Sequence, residues 1–327
     1  MKIIERLKLW FEIGRGFTTP LSILPYIFAV ILAAKHCKID FLLSFLGLIG
    51  IFIAHLSVNM LDDYFDWKKG AVATYKNLEK QGLVPENNKC FYFEQNLVSP
   101  KSVFIVAALM STIAFLIGMF IASKVGVSVI VIALITALLG FFYSASPIKL
   151  SYRGLGEPVI AFIFGPLLMT GAYITAGAHI DKFILLISAI TGLLVMNIGY
   201  VHALSDFDSD LKTGKKSFPG LFKTKDNAIF VLALIYIIAY VILSYGIFAK
   251  IFPLASITTF ILLPKIFALV NLMKKPDIQP KWWMGPLENW EQVKKQRAEW
   301  FMLRICLSRN IVTDFVILFS ISYYLFG

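Results

Sequence analysis

Apolar residues run in long stretches along this chain, separated by short polar breaks. A helix needs roughly 17–25 apolar residues to cross a hydrocarbon core of about 30 Å. Nine runs meet that length, near 17–34, 41–61, 102–122, 125–142, 157–177, 183–204, 228–249, 251–273 and 310–326. Pro25, the Gly165-Pro166 pair and Pro264 fall inside three of them, where neighbouring helices can satisfy the backbone groups they free. The pattern predicts an all-α polytopic membrane bundle of nine transmembrane helices, one domain over 1–327. Met1–Gly16 is basic, carries Trp10 and leads into a span too long for the apolar core of a cleaved signal. It is expected to lie on the membrane as an amphipathic interfacial helix.

Composition agrees with the pattern. Of 327 residues, 58% are hydrophobic and 16% charged, with mean hydropathy +0.76; a soluble domain usually carries about a quarter charged residues. Three cysteines, Cys37, Cys90 and Cys306, form neither an even disulfide framework nor a CxxC metal site. The net charge of +11 reads as loops facing an anionic membrane surface, with no nucleic-acid partner expected. Nothing in the residues points to an obligatory protein partner.

Orientation follows from where Lys and Arg lie. Loops on the side of the N-terminus hold 25 of the 31, the opposite loops hold five, and Lys265 lies inside span eight. That bias puts the N-terminus and the long loops in the cytoplasm and the C-terminus outside. Trp282, Trp283, Trp290 and Trp300 all fall between spans eight and nine, so 274–309 is expected to be a cytoplasmic insertion lying on the headgroups. An ordinary solvated loop helix is the plainer alternative.

Carboxylates are costly at membrane depth, yet six crowd into two short segments. Span two ends in Asn59-Met60-Leu61-Asp62-Asp63-Tyr64-Phe65-Asp66, followed by Gly70; span six ends in Asp206, Asp208 and Asp210, followed by Gly214. Both segments read D-x-x-x-D-x-x-x-G, four spans apart and in the same helix direction, which marks an internal pseudo-repeat. Residues four apart share a helix face, so Asn59, Asp62 or Asp63, and Asp66 line one face, and Asp206 and Asp210 another. Oxygen-only ligands favour Mg²⁺ over zinc or copper, and Mg²⁺ takes one or two carboxylates plus waters and phosphate oxygens. The segments therefore read as a metal clamp for a diphosphate, with Asn59, Asp62, Asp63, Asp66, Asp206 and Asp210 as metal ligands. A cation path in a transporter and plain solvated helix ends are the competing readings.

Basic residues near the acidic segments are candidates to bind the phosphates. Lys149 and Arg153 sit in a short, otherwise uncharged loop, Arg15 precedes span one, and Lys69 and Lys215 flank the acidic helices. Tyr143, Tyr152 and Tyr200 are further candidates, at the substrate, to steady a cation through their ring faces, plain packing being the alternative. His55, one turn before Asn59, is expected to hydrogen-bond within the bundle, contact with an acceptor being the alternative. Lys265 and Asp314, inside spans eight and nine, could pair with each other.

These motifs resemble the UbiA superfamily of membrane prenyltransferases. Its first motif, N-D-x-x-D with Lys and Gly following, falls on Asp62–Gly70, and its second, D-x-x-x-D then G-K-x-[ST], on Asp206–Asp210 and Gly214–Ser217. Thr18–Pro25 with Arg15, and the run Tyr152-Arg-Gly-Leu-Gly-Glu157-Pro with Phe164-Gly-Pro166 and Gly171-Ala-Tyr173, resemble the 1,4-dihydroxy-2-naphthoate branch. Asp62 stands where the family usually has Asn, Ala71-Val72 where it usually has an Asp, and Ser205 where the branch has Arg. The resemblance implies Mg²⁺-dependent transfer of an isoprenyl chain from a polyprenyl diphosphate to an aromatic acceptor. Asp62, Asp66, Asp206 and Asp210 would be its catalytic carboxylates, at the cytoplasmic face of the cell membrane. Other acceptors (4-hydroxybenzoate, a tetrapyrrole, a glycerol phosphate) stay open.

Overall fold

The computed structural model describes residues 3–68, 70, 90–208, 210, 216–275, 280–285 and 299–327. Lys69, Lys215, Gly214 and Trp290 lie outside the described residues. Among the described residues there are nine helical spans long and apolar enough to cross a membrane, and each coincides with one predicted run. The chain divides into two compact units, Met1–Leu150 with Leu167–His179, and Ser151–Pro166 with Ile180–Gly327. Each unit contains one acidic motif.

The first unit opens with α1 (Ile3–Ile13), a 3₁₀ turn at Gly16–Thr18 and α2 (Pro20–Ala33). Helix α1 buries Leu9 and Ile13 against Met60, Cys90, Tyr92 and Phe93, while Ile4, Leu7 and Phe11 are exposed. Helix α3 (Phe41–Lys68) runs past the predicted end at 61, so the first acidic motif occupies its last two turns. It ends where Gly70 takes a left-handed φ of 73°, a conformation that glycine adopts without a Cβ penalty. After the short helix α4 (Phe91–Glu94) come α5 (Pro100–Val125) and α6 (Val127–Ser144).

Apolar lipid offers no hydrophobic drive for helices to associate, so small residues and polar ties hold such bundles. Gly47 is one such residue: a Cβ there would sit 2.2 Å from the Tyr26 hydroxyl, which donates to the Ser44 carbonyl at 2.8 Å. Ser57 Oγ ties α3 to α5, donating to the Ala107 carbonyl at 2.8 Å.

The second unit begins with α7 (Gly156–Phe162), which continues through a π turn at Ile163–Leu167, around Pro166, into α8 (Leu168–Thr175) of the first unit. Gly165 and Gly192 let α7 and α9 (Lys182–Ser205) approach closely: a Cβ on Gly165 would lie 2.4 Å from the Ser188 carbonyl. Helix α10 (Lys225–Phe248) follows. Span eight starts as a 3₁₀ helix, Leu254–Leu262, and becomes α11 (Leu263–Lys274). Pro264 cannot donate to the Phe260 carbonyl, and the Leu263 N–H takes that carbonyl instead.

Helix α12 (Glu299–Phe326) corrects one prediction. The last helix starts well before residue 310, and Leu303, Arg304, Cys306, Leu307 and Ser308 are buried in protein, not spread on headgroups. The polar count that ended the apolar run at 310 came from side chains that the bundle covers. Removing Arg304 and Arg309 from the loop count still leaves a strong positive bias. Lys265 does pair with Asp314, and Thr258 with Ser322 at 2.8 Å, so α12 is tied to span eight at two depths.

Candidate functional site: a charged network at the first acidic motif

The last two turns of α3 place Asp62, Asp63 and Asp66 at its end, with Asp63 and Asp66 buried. Arg15 reaches them from the turn before span one. Its guanidinium donates to Asp62 Oδ2 at 2.9 Å and to Asp63 Oδ1. The other oxygen of each carboxylate also has a donor: Ser144 Oγ for Asp62 Oδ1, and the Tyr92 hydroxyl for Asp63 Oδ2 at 2.7 Å. Burial opposes the charge on Arg15, but the Asp63 and Asp62 carboxylates outweigh it and raise the guanidinium pKa above its ordinary value. Burial, reinforced by Asp63, likewise raises the Tyr92 phenol, which stays protonated and donating at neutral pH.

Arg15 itself sits at φ 52°, ψ 46°, left-handed for a residue with a Cβ. Such a conformation costs about 1–3 kcal/mol and persists only where surroundings impose it. Here the Asn59 amide nitrogen donates to the Gly14 carbonyl at 3.1 Å and to Thr18 Oγ1 at 3.3 Å. His55 Nε2 lies 2.9 Å from the same hydroxyl, as its expected place within the bundle requires.

In the second unit, α9 ends at Ser205 and one further helical turn follows, closed by the Asp210 N–H donating to the Asp206 carbonyl at 2.8 Å. Asp206 and Asp210 are thus one turn apart, and Asp210 is buried. His202 Nε2 lies 3.9 Å from Asp206. The fully buried Arg304 of α12 is close enough for its charge to act on Asp206. Asp208 is mostly exposed, 3.9 Å from Lys225. Backbone pairing joins Arg153 to Lys216, and the buried Glu157 carboxylate accepts the Phe218 N–H at 3.2 Å. These two contacts fasten the Tyr152–Pro158 loop to the segment that follows the second motif.

Of the predicted basic residues, Arg15 meets carboxylates directly. Arg153 is exposed, and Lys149 is half-buried at a left-handed φ of 51°. Tyr143 and Tyr152 are half-buried, and the Tyr200 hydroxyl is used structurally, donating to the Ala228 carbonyl at 2.8 Å. Ser144, Tyr92 and Arg304 carry no motif and were missed from the sequence, and Thr18, though part of the Thr18–Pro25 run, was given no role there. For Arg304 there was a signal, a lone cation close ahead of an apolar run.

The donor chemistry fits a hard cation. Asp62, Asp66, Asp206 and Asp210 offer only carboxylate oxygen, in two pairs one helical turn apart, with Asp66 and Asp210 buried. Among the described residues no three His, Cys, Asp or Glu side chains converge as a ready-made cage. An ion bound by few carboxylates and completed by waters and phosphate oxygens is the mode Mg²⁺ favours.

Fold and sequence together define a polytopic helical membrane enzyme with paired acidic helix ends. The sequence profile of the UbiA prenyltransferase family matches residues 22–285, and the chain belongs to that family. It is a prenyltransferase. It is 24% identical over 233 residues to the 1,4-dihydroxy-2-naphthoate octaprenyltransferase of Bacillus subtilis, covering 71% of each chain. Among solved structures it is similar to a UbiA homologue from Archaeoglobus fulgidus bound to GPP and Mg²⁺, with TM-score 0.58 and 15% identity over 93% of this chain and 99% of that one. A structure described for digeranylgeranylglyceryl phosphate synthase gives TM-score 0.59 at 16% identity, over 98% of this chain and 99% of that one. At those identities the likeness concerns the fold.

Proposed function

We propose that this chain moves an isoprenyl group from a polyprenyl diphosphate to 1,4-dihydroxy-2-naphthoate, with Mg²⁺, as a step of menaquinone biosynthesis. The observation that carries the reading is the pairing of buried Asp66 and Asp210 with Asp62 and Asp206, one helical turn apart, in a member of a prenyltransferase family. The Bacillus relative, named for that acceptor, supports the choice of substrate. The enzyme sits in the cell membrane, with its acidic motifs and N-terminus on the cytoplasmic side.

Asp62 with Asp66, and Asp206 with Asp210, would hold two Mg²⁺ ions, which when bound would neutralise the charge of the diphosphate leaving group. Arg15, Lys149, Arg153, Lys69 and Lys215 bind its non-bridging oxygens. Tyr143 and Tyr152 line the path to the acceptor. The allylic C–O bond breaks with its electron pair on the diphosphate. The electron-rich ring then forms a C–C bond to the allylic carbon, and the ring carboxylate leaves as CO₂, which restores aromaticity. Apolar helices keep water away from the allylic cation, which water would otherwise capture.

The test uses purified protein in detergent with Mg²⁺, radiolabelled geranylgeranyl diphosphate and a panel of acceptors. Prenylated naphthoquinol formed only with Mg²⁺, and lost in both Asp66→Ala and Asp210→Ala, is the expected result. Product with a different acceptor discards the menaquinone assignment. No product and no diphosphate release with any acceptor discards prenyl transfer.

A further inference from the structure

Thr18 Oγ1 has three neighbours, and the hydroxyl has one proton to give. The Arg15 carbonyl, at 2.8 Å, can only accept, so it takes that proton. The Asn59 amide nitrogen, at 3.3 Å, can only donate. His55 Nε2, at 2.9 Å, then meets a hydroxyl with a lone pair and no proton left, so it carries the N–H and donates. The hydroxyl is saturated: one bond given, two received.

This knot ties one helix to one turn. His55 and Asn59 lie on α3, two turns and one turn ahead of the acidic motif respectively, while Gly14, Arg15 and Thr18 form the turn whose Arg15 folds back onto Asp62 and Asp63 of the same α3. The left-handed backbone at Arg15 is what such a tether must impose. The spacing from His55 to Asp63 puts all four α3 side chains on neighbouring turns of one face, so the latch and the carboxylates share one rigid support.

We infer that His55 and Asn59 are positioning residues, which act through Thr18 and the Gly14 carbonyl to fix Arg15 over Asp62 and Asp63. The inference deepens the proposed function and rests on it. It moves Asn59 from the expected metal ligands to the support of Arg15. A displacement of about 1 Å at a reacting site can cost on the order of a hundredfold, so a slack turn would be felt in catalysis even though neither residue meets substrate.

A double-mutant cycle with a spectroscopic check tests it. Asn59→Ala and Thr18→Val should each raise KM for the prenyl diphosphate about tenfold, equivalent to about 1.4 kcal/mol, with little change in kcat. Thr18→Ser, which keeps the hydroxyl, should retain the wild-type KM. In an Arg15→Lys background the Asn59 and Thr18 substitutions should add less than about twofold, because the positioned fork is already gone. The Mg²⁺ concentration for half-maximal activity should not rise in Asn59→Ala, because a residue that is no metal ligand cannot weaken the metal's hold when it is removed. Nitrogen NMR of ¹⁵N-histidine protein in nanodiscs, with the His55 signal identified by its loss in His55→Gln, should show the Nε2–H tautomer in wild type and a shifted signal in Thr18→Val. Additive effects in the Arg15→Lys background, a raised Mg²⁺ concentration for half-maximal activity in Asn59→Ala, or an Nδ1–H tautomer would each overturn the inference. Wild-type protein with no Mg²⁺-dependent turnover sinks the proposed function and this inference together, whereas active wild type with additive effects sinks the inference alone.

Discussion

Replacing Arg15 with Met removes the cation shared by Asp62 and Asp63 while keeping a side chain of similar reach. The Asp63 side chain is 3% exposed and Asp62 13%, against 26% for Arg15. Removing one partner of a buried ion pair costs about 3–5 kcal/mol, because the charge left behind stays desolvated. Arg15 keeps partial contact with solvent, so the lower end, about 3 kcal/mol, is the expected loss. Mg²⁺ should then return part of that stability. If the freed carboxylates bind it, concentrations a hundred times Kd restore about 2.7 kcal/mol, and wild type should gain less, since Arg15 competes for the same oxygens. The assay is SDS-driven unfolding in mixed micelles, followed by far-UV circular dichroism, with MgCl₂ against KCl at matched ionic strength. Adding Asp63→Asn to Arg15→Met should recover stability, as charge-neutral replacements of buried pairs do. Arg15→Met within about 0.5 kcal/mol of wild type, or an equal response to KCl and MgCl₂, would refute the reasoning.

Three further expectations concern the second unit. Lys265→Met or Asp314→Leu alone should destabilise by about 2.5–3.5 kcal/mol, the cost of a lone charge at a span's centre, while the double variant should lose under about 1 kcal/mol in the same unfolding assay; equal losses for single and double variants would deny the pairing. Gly165→Ala should cost about 1–3 kcal/mol by overpacking, since its Cβ would meet the Ser188 carbonyl at 2.4 Å, and a lowered thermal midpoint in detergent checks it. Glu157→Ala should raise KM for the prenyl diphosphate severalfold through loss of the Phe218 tether, and Glu157→Gln, whose amide oxygen can still accept, should raise it less; steady-state kinetics decides.

Spans were the most legible part of this chain, because a membrane demands unbroken apolar length and every run of that length became a helix. Their ends were harder to read. Helix α3 runs on past the predicted boundary, where Arg15, Ser144 and Tyr92 stabilise Asp62 and Asp63, and none of the three is near α3 in sequence. The start of α12 was set too late for a related reason: Arg304 counts as a loop charge in any hydropathy window, yet the side chain is fully buried. The spacing of Asp62 and Asp66, and of Asp206 and Asp210, told correctly that each pair shares a helical turn. It could not tell that Asp62 and Asp63 both accept from Arg15, with Ser144 and Tyr92 donating to their other oxygens.

Charge compensation explains why those partners come from far along the chain. A carboxylate at a helix end near the membrane is affordable only with a cation or donors beside it. Lys68 and Lys216, the described lysines that flank the motifs, are exposed. A compensating charge that must stay beside buried Asp63 has to be buried too, and Arg is the residue suited to that place, with a planar fork that serves two carboxylates and no tendency to lose its proton. The first motif takes Arg15 from the turn ahead of span one. The first unit thus supplies its acidic helix end with an arginine from another element, which ties the alignment of Asp62 and Asp63 to the packing around α3 rather than to the motif alone.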